Sequence, residues 1–424
     1  MTPAGRTRTE LAKTDGASDP VQQARSARWA VSTIFFLTGA GTANWAVRIP
    51  ALQEQLGLGT GQLGLALLGV SVGAITSMPL AGRLVARHGS RPVTRAAAIA
   101  FALALALPAL ATSVAALVLA LVLLGLANGM LDVAMNAQAA SVQQRYDQPI
   151  MSRIHALYSF GGLVGAAIGG RLASFGVGPA LHLSAVALVL ATFGFAAGAA
   201  MLPASADAAP EQSPTARLTR RLVALGLVAF CVLFGEGAMA NWSAVYLRDV
   251  VDAGPGLAAA GFAAFSLMMA MGRAVGDALT TRFGPERLAR AGGALAAFGA
   301  ALAIVVPHPW TVIVGFAAIG AGLSSVFPLV LAAASRTPHV VPGAAIAVVS
   351  MCGYSGLLAG PPLIGAVASA LTIRGGLAIV AASSLVVALL AGTLRLVPLR
   401  RAIDGGTTRP TNEVITYAET GRLA

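Results

Sequence analysis

Charge is what this chain has least of. Asp, Glu, Lys and Arg together make up 10% of its 424 residues, aromatics 6%, and hydrophobic residues 57%; a soluble domain carries about 25% charged residues. That scarcity excludes water as the main solvent. Cysteine is nearly absent: Cys231 and Cys352 both sit in apolar stretches without metal-ligand spacing, so neither a disulfide framework nor a zinc site is expected, and both read as small packing residues. There is no HExxH, no nucleophile elbow and no Walker loop, which removes the parts for metal hydrolysis and ATP use. The chain is expected not to be an enzyme, and no cofactor or metal is expected. Residues 1–27 lack the compact apolar centre of a signal peptide and read as a disordered cytoplasmic tail.

What the chain does contain is apolar blocks long enough to cross about 30 Å of hydrocarbon at 1.5 Å per residue. Six fall at 29–47, 63–85, 93–111, 114–139, 155–172 and 179–201, and six more at 222–246, 257–279, 288–306, 310–334, 344–371 and 377–394. Between the sets, 203–219 is rich in Ala, Ser and Pro, with Glu211 among them, and reads as a linker. The fold class expected is therefore all-α: twelve transmembrane helices in two six-helix bundles, 28–202 and 220–396, with a cytoplasmic linker at 203–219 and a cytoplasmic tail at 397–424.

The two sets are copies. AGRLVARHGSRPVTR at 81–95 is answered by GDALTTRFGPERLAR at 276–290, with Arg87, Gly89 and Arg95 matching Arg282, Gly284 and Arg290 at an offset of 195. Ala43, Asn44 and Trp45 recur as Ala240, Asn241 and Trp242, and Tyr158, Ser159 and Gly169 as Tyr354, Ser355 and Gly365. An even number of spans per copy makes the repeat parallel, with an axis along the membrane normal and a central cavity between the bundles.

The net charge of +12 points to topology and not to nucleic acid, because no stretch interleaves basic and aromatic residues on a soluble face. Arg83, Arg87, Arg91 and Arg95, Arg217, Arg220 and Arg221, Arg282, Arg287 and Arg290, and Arg395, Arg400 and Arg401 fall in alternate loops, whereas the intervening loops hold only Arg48, Arg171, Arg248 and Arg374. The positive-inside bias then puts both termini in the cytoplasm. Glycines at 161, 165 and 169 predict close helix approach, and Pro79, Pro108 and Pro328 within spans predict kinks or loosened hydrogen bonding.

On these residues the chain resembles the major facilitator superfamily of secondary transporters. The family's loop motif is met by Gly82, Arg87, Gly89 and Arg91. Its acidic position is Ala86, which puts in doubt the helix latch that the resemblance would imply. The second copy has Asp277 where the motif opens with Gly, Thr281 at the acidic position, then Arg282 and Gly284. AVRIPALQEQLG, LDVAMNAQ and GEGAMANWSAVYLRD are similar to the bacterial YbjJ-type inner-membrane branch, related to fucose permeases. The resemblance implies a monomeric inner-membrane carrier of a small-molecule solute, with the first, fourth, seventh and tenth spans lining the cavity. A multidrug or metabolite efflux antiporter, or a non-transporting membrane sensor, is the alternative. The Gly-Pro signature of drug:proton antiporters is not met, since Ala166 follows Gly165.

Ionisable groups within spans need partners or water. Asn128, Asp132 and Asn136 form one stripe at four-residue spacing; Asp132 reads as a proton or cation site flanked by substrate-binding amides, or the three read as an interhelical clasp. Glu236, between Gly235 and Gly237, reads as a coupling or substrate carboxylate, or as half of an ion pair. His155 reads as an interfacial histidine or as a relay partner of Asp132. Arg273 and Asp277, four apart, read as a mutually neutralising pair. Asn44 with Trp45 and Asn241 with Trp242 are expected to face each other at the outer ends, as belt residues or as contacts to a polar solute. Arg48 and Arg248 are candidates for an outer gate with Glu54 or Asp249.

Overall fold

In lipid a backbone must satisfy its own hydrogen bonds, and this chain does so with helices alone: no strand occurs among the described residues. The computed structural model describes residues 20–58, 60–146, 148–206, 218–253, 255–338 and 340–395. The first half contains α1 (Pro20–Gln55), α2 (Thr60–His88), α3 (Ser90–Ala106), α4 (Val114–Tyr146), α5 (Met151–Ser174) and α6 (Pro179–Ala199). The second contains α7 (Arg220–Val251), α8 (Pro255–Phe283), α9 (Pro285–Val305), α10 (Pro309–Leu323), α11 (Val326–Ala334), α12 (Pro342–Ala370) and α13 (Ile373–Leu390). Proline opens α6, α9, α10 and α12, where its fixed φ suits a first turn and its missing N–H has no partner to lose.

Helix α1 begins at Pro20, so residues 20–27 are helical and not the disordered tail expected there; residues 1–19, 207–217 and 396–424 lie outside the described residues. Ten spans are long and apolar enough to cross a membrane on composition alone. The other two, α1 and α5, fall short because they carry Thr38, Thr42, Asn44 and Arg48, and Arg153, His155 and Ser159.

The tenth span is two helices. Pro328 has no N–H to give the carbonyl of Ser324 one turn back, and the helix breaks between Leu323 and Val326. Arg273 Nε uses that free carbonyl at 3.4 Å. The prolines act differently: Pro79 stays inside a continuous α2, and Pro108 ends α3 in a 3-10 turn, Leu107–Leu110.

The duplication holds in packing. In the first half α1 lies on α5, α2 on α4 and α3 on α6; the second half repeats this as α7 on α12, α8 on α10 and α9 on α13. Gly161 and Gly165 seat α5 on the carbonyls of Phe36 and Ala40, and Gly356 seats α12 on that of Phe230. The basic turns superpose in conformation too, Gly89 at φ 76° and Gly284 at φ 81°, a region open to glycine without strain. The halves meet mainly through α2 with α12 and α5 with α8, at the end of the molecule that carries the linker.

Candidate functional site

Between the halves a polar cluster forms from α1, α4, α5, α7, α8 and α12. Helix α4 supplies the stripe that its spacing predicted. Asn136 Nδ2 donates to the Asp132 carbonyl at 2.8 Å and to Asp132 Oδ1 at 3.2 Å. Asn136 Oδ1 lies 3.2 Å from His155 Nε2, and since an amide oxygen only accepts, Nε2 carries the proton. Asp132 and His155 are thus linked through Asn136, in one chain that spans α4 and α5. The His155 ring stands edge-on to Phe35 of its own half, 5.0 Å between centroids, and to Phe327 of the other, 6.2 Å.

Asp132 is buried and its Oδ2 has no hydrogen-bond partner. Beside it on α12 stands Ser350, which the sequence did not single out, with a buried Oγ that is also unpaired. Tyr158 and Tyr354, related by the duplication, both lie close to Asp132 and Glu236, Tyr158 beside Thr42 and Tyr354 beside Asn128.

Glu236 has a different setting. Its Oε2 pairs with Arg273 Nη2 at 3.3 Å, and Arg273 Nη1 donates to Ser159 Oγ of the first half at 3.0 Å. Arg273 therefore pairs with Glu236 and not with Asp277, correcting the expectation from i, i+4 spacing. One turn further along α8, Asp277 points the other way. Its Oδ1 accepts from Ser152 N and its Oδ2 from Arg153 N, both at 2.9 Å, so the carboxylate of one half caps the N-terminus of α5 in the other. Gln143 Oε1 takes the two preceding amides, Ile150 N at 2.8 Å and Met151 N at 3.1 Å. All four leading donors of α5 are satisfied. Gly82, at the equivalent of Asp277, instead lies against Gly343, Ala344 and Ala347 of α12.

The remaining loop-motif residues stay at the linker end. Arg87 is exposed, Arg91 Nη2 donates to Ala199 O at 2.8 Å, and Arg282 lies over Phe283. Asp277, one turn earlier than the motif's acidic position in its copy, is the motif carboxylate that bonds across the two halves.

The outer ends depart from expectation. Asn44 does not face Asn241: it is buried in the first half, where Oδ1 accepts from His182 Nε2 at 2.7 Å. Arg48 Nε donates to His182 Nδ1 at 2.6 Å. This Arg48–His182–Asn44 run ties α1 to α6, so Arg48 makes no gate with Glu54. Trp45 is part of the apolar core. Asn241 is exposed and bonds its own helix at Gly237 O, while Trp242 packs against Gly365. Arg248 pairs with its neighbour Asp249 at 2.7 Å, and that hydrogen bond holds the Asp249 carboxyl below its ordinary pKa. His182 was the missing partner, and a single histidine in an apolar span gave no sign of it.

A sequence profile of the Major Facilitator Superfamily matches residues 31–341 and 225–414. An uncharacterized MFS-type transporter of Yersinia pestis is 33% identical over 359 residues, covering 84% of this chain and 93% of its own. The membrane protein MosC of Rhizobium meliloti is 31% identical over 365 residues, covering 85% and 88%. Among solved structures, the transporter FucP in its outward conformation is similar in fold at a TM-score of 0.71 and 16% identity, covering 86% of this chain and 97% of that one. With two packed copies of a six-span unit and relatives of this identity over most of its length, the chain belongs to the Major Facilitator Superfamily and is a membrane transporter, not an enzyme.

Proposed function

We propose that the chain carries a small solute across the bacterial inner membrane by alternating access, the bundles 28–202 and 220–396 rocking about the central cluster, with both termini in the cytoplasm. The alternation of arginine-rich and arginine-poor loops supports that orientation. One chain suffices, because its own two halves make the cleft.

Asp132 is the group we assign to the coupling proton. The observation that carries this is the contrast between the two central acids: Glu236 has Arg273 as its counter-ion, whereas Asp132 Oδ2 and Ser350 Oγ are buried, adjacent and both unpaired. A proton on Oδ2 would complete a hydrogen bond to that hydroxyl. Opening the linker side carries α12 away and takes Ser350 with it, which leaves Asp132 to water and frees the proton. Asn136 and His155 orient the carboxylate, and Asn128, Tyr158 and Tyr354 supply donors to a polar solute.

The test begins with a thermal-shift screen of the purified protein against a metabolite library, since a selective ligand stabilises the folded state by mass action. With that ligand labelled, proteoliposomes of the wild type should accumulate it under an imposed proton gradient and lose the accumulation with a protonophore. Asp132→Asn should abolish accumulation and keep solute counterflow. Accumulation equal to wild type would remove Asp132 from the coupling role.

A further inference from the structure

Outside the closed contact, at the linker end, the halves enclose a cavity of about 180 Å³. Gln143, Gln148 and Ser152 of the first half and Asp277, Thr280 and Arg336 of the second contribute its polar wall. The acceptors there are largely spent. Both Asp277 oxygens and Gln143 Oε1 hold the amides of α5, while the Thr280 hydroxyl has only its proton engaged, on Gly276 O at 2.7 Å. What remains unspent can donate: Ser152, 1% exposed, has an Oγ without a partner, and the buried Nε of Arg336 has none. Asp277 is the one acid among the described lining residues, and it lies against the positive end of α5, which offsets part of its charge.

A buried guanidinium nitrogen and a buried hydroxyl left without acceptors call for a ligand that brings acceptors and negative charge. Guanidinium groups match carboxylate and phosphate oxygens in geometry. We propose that this cavity binds a small oxyanion, of the size of phosphate or a short carboxylate, on Arg336 and Ser152, and that its occupancy favours the state in which the linker end is shut. The second part follows from where the walls come from. Both halves contribute, so the site comes apart when they separate, and a ligand that binds one state better draws the population to it. This linkage rests on the rocking motion proposed above, whereas the site itself does not.

Inorganic phosphate titrated calorimetrically into the full-length protein in detergent tests the site. Saturable binding is expected in the wild type, weakened at least tenfold in Arg336→Gln and about threefold in Ser152→Ala, and retained to within a few-fold in Arg336→Lys. Arg248→Gln, at the opposite end, should match the wild type. Heats that do not saturate, or an Arg336→Gln isotherm that overlays the wild type, would overturn the site. Spin labels at Arg145→Cys and Arg287→Cys, with Cys231 and Cys352 changed to serine, read the linkage: phosphate should raise the short-distance population, and unchanged distances alongside intact binding would overturn the linkage alone.

Discussion

The contact of α5 with α8 and that of α2 with α12 are the same contact twice, related by the duplication, and they are held by different forces. At one repeat position the second half has Asp277 and the first has Gly82. Helix α5 starts without proline at its first turn, so it presents a full set of N–H donors, and Asp277 accepts two of them across the boundary. Helix α12 starts with Pro342, which has no N–H to cap, and there the backbones simply close: a Cβ on Gly82 would come within 2.8 Å of Ala347 Cβ. One side of the closed end is therefore electrostatic and the other is van der Waals packing. A duplicated fold keeps the geometry of its interface while the chemistry at each copy follows the local helix start.

Removing the carboxylate should have the largest effect. Asp277→Ala leaves two amides unpaired, that of Ser152 buried and that of Arg153 part-buried, and a hydrogen bond to a charged group contributes about 1.5–3 kcal/mol; spin labels at Arg145→Cys and Arg287→Cys should report a loss of the shut population. If that population is unchanged, the α5 cap is not what holds this side. Next comes Gly82→Val, where overpacking costs about 1–3 kcal/mol and should separate the other side by the same readout. The double variant tests independence, because contacts without shared partners add to within about 0.5 kcal/mol. The smallest effect belongs to Arg153→Gln. Its side chain is 53% exposed and 3.6 Å from Asp277, and exposed ion pairs contribute about 0–1 kcal/mol. A shift as large as that of Asp277→Ala would mean that the side chain, and not the backbone amides, makes the latch.

The central site was legible where local spacing carried the information. Asn128, Asp132 and Asn136 share a face because they are four apart, and Tyr158 and Tyr354 were visible as repeat mates before their meeting was known. Ser350 was not legible, and although an ion pair was one reading of Glu236, its partner Arg273 was not. Spacing says which residues share a face of one helix, but it does not say which helix that face meets, and in a bundle in lipid the outer faces are as apolar as the inner ones, so hydrophobic periodicity does not orient the helix. Arg273 shows the cost of relying on spacing: Asp277 lies four residues on, yet the two side chains serve different partners, one toward the cluster and one toward α5. Asn44 shows the same at the outer end, where His182 from α6 takes it inward.

Composition and repetition in the chain alone determined the membrane setting, the number of spans, the two-fold plan and the glycine turns, because each follows from backbone chemistry within a few residues or from matching one half with the other. Which acid has a counter-ion, which lies unpaired against a hydroxyl, and which caps a helix of the other half were decided only by the tertiary structure. Those outcomes depend on distances of a few ångströms between side chains far apart in the chain, and such distances are set by packing.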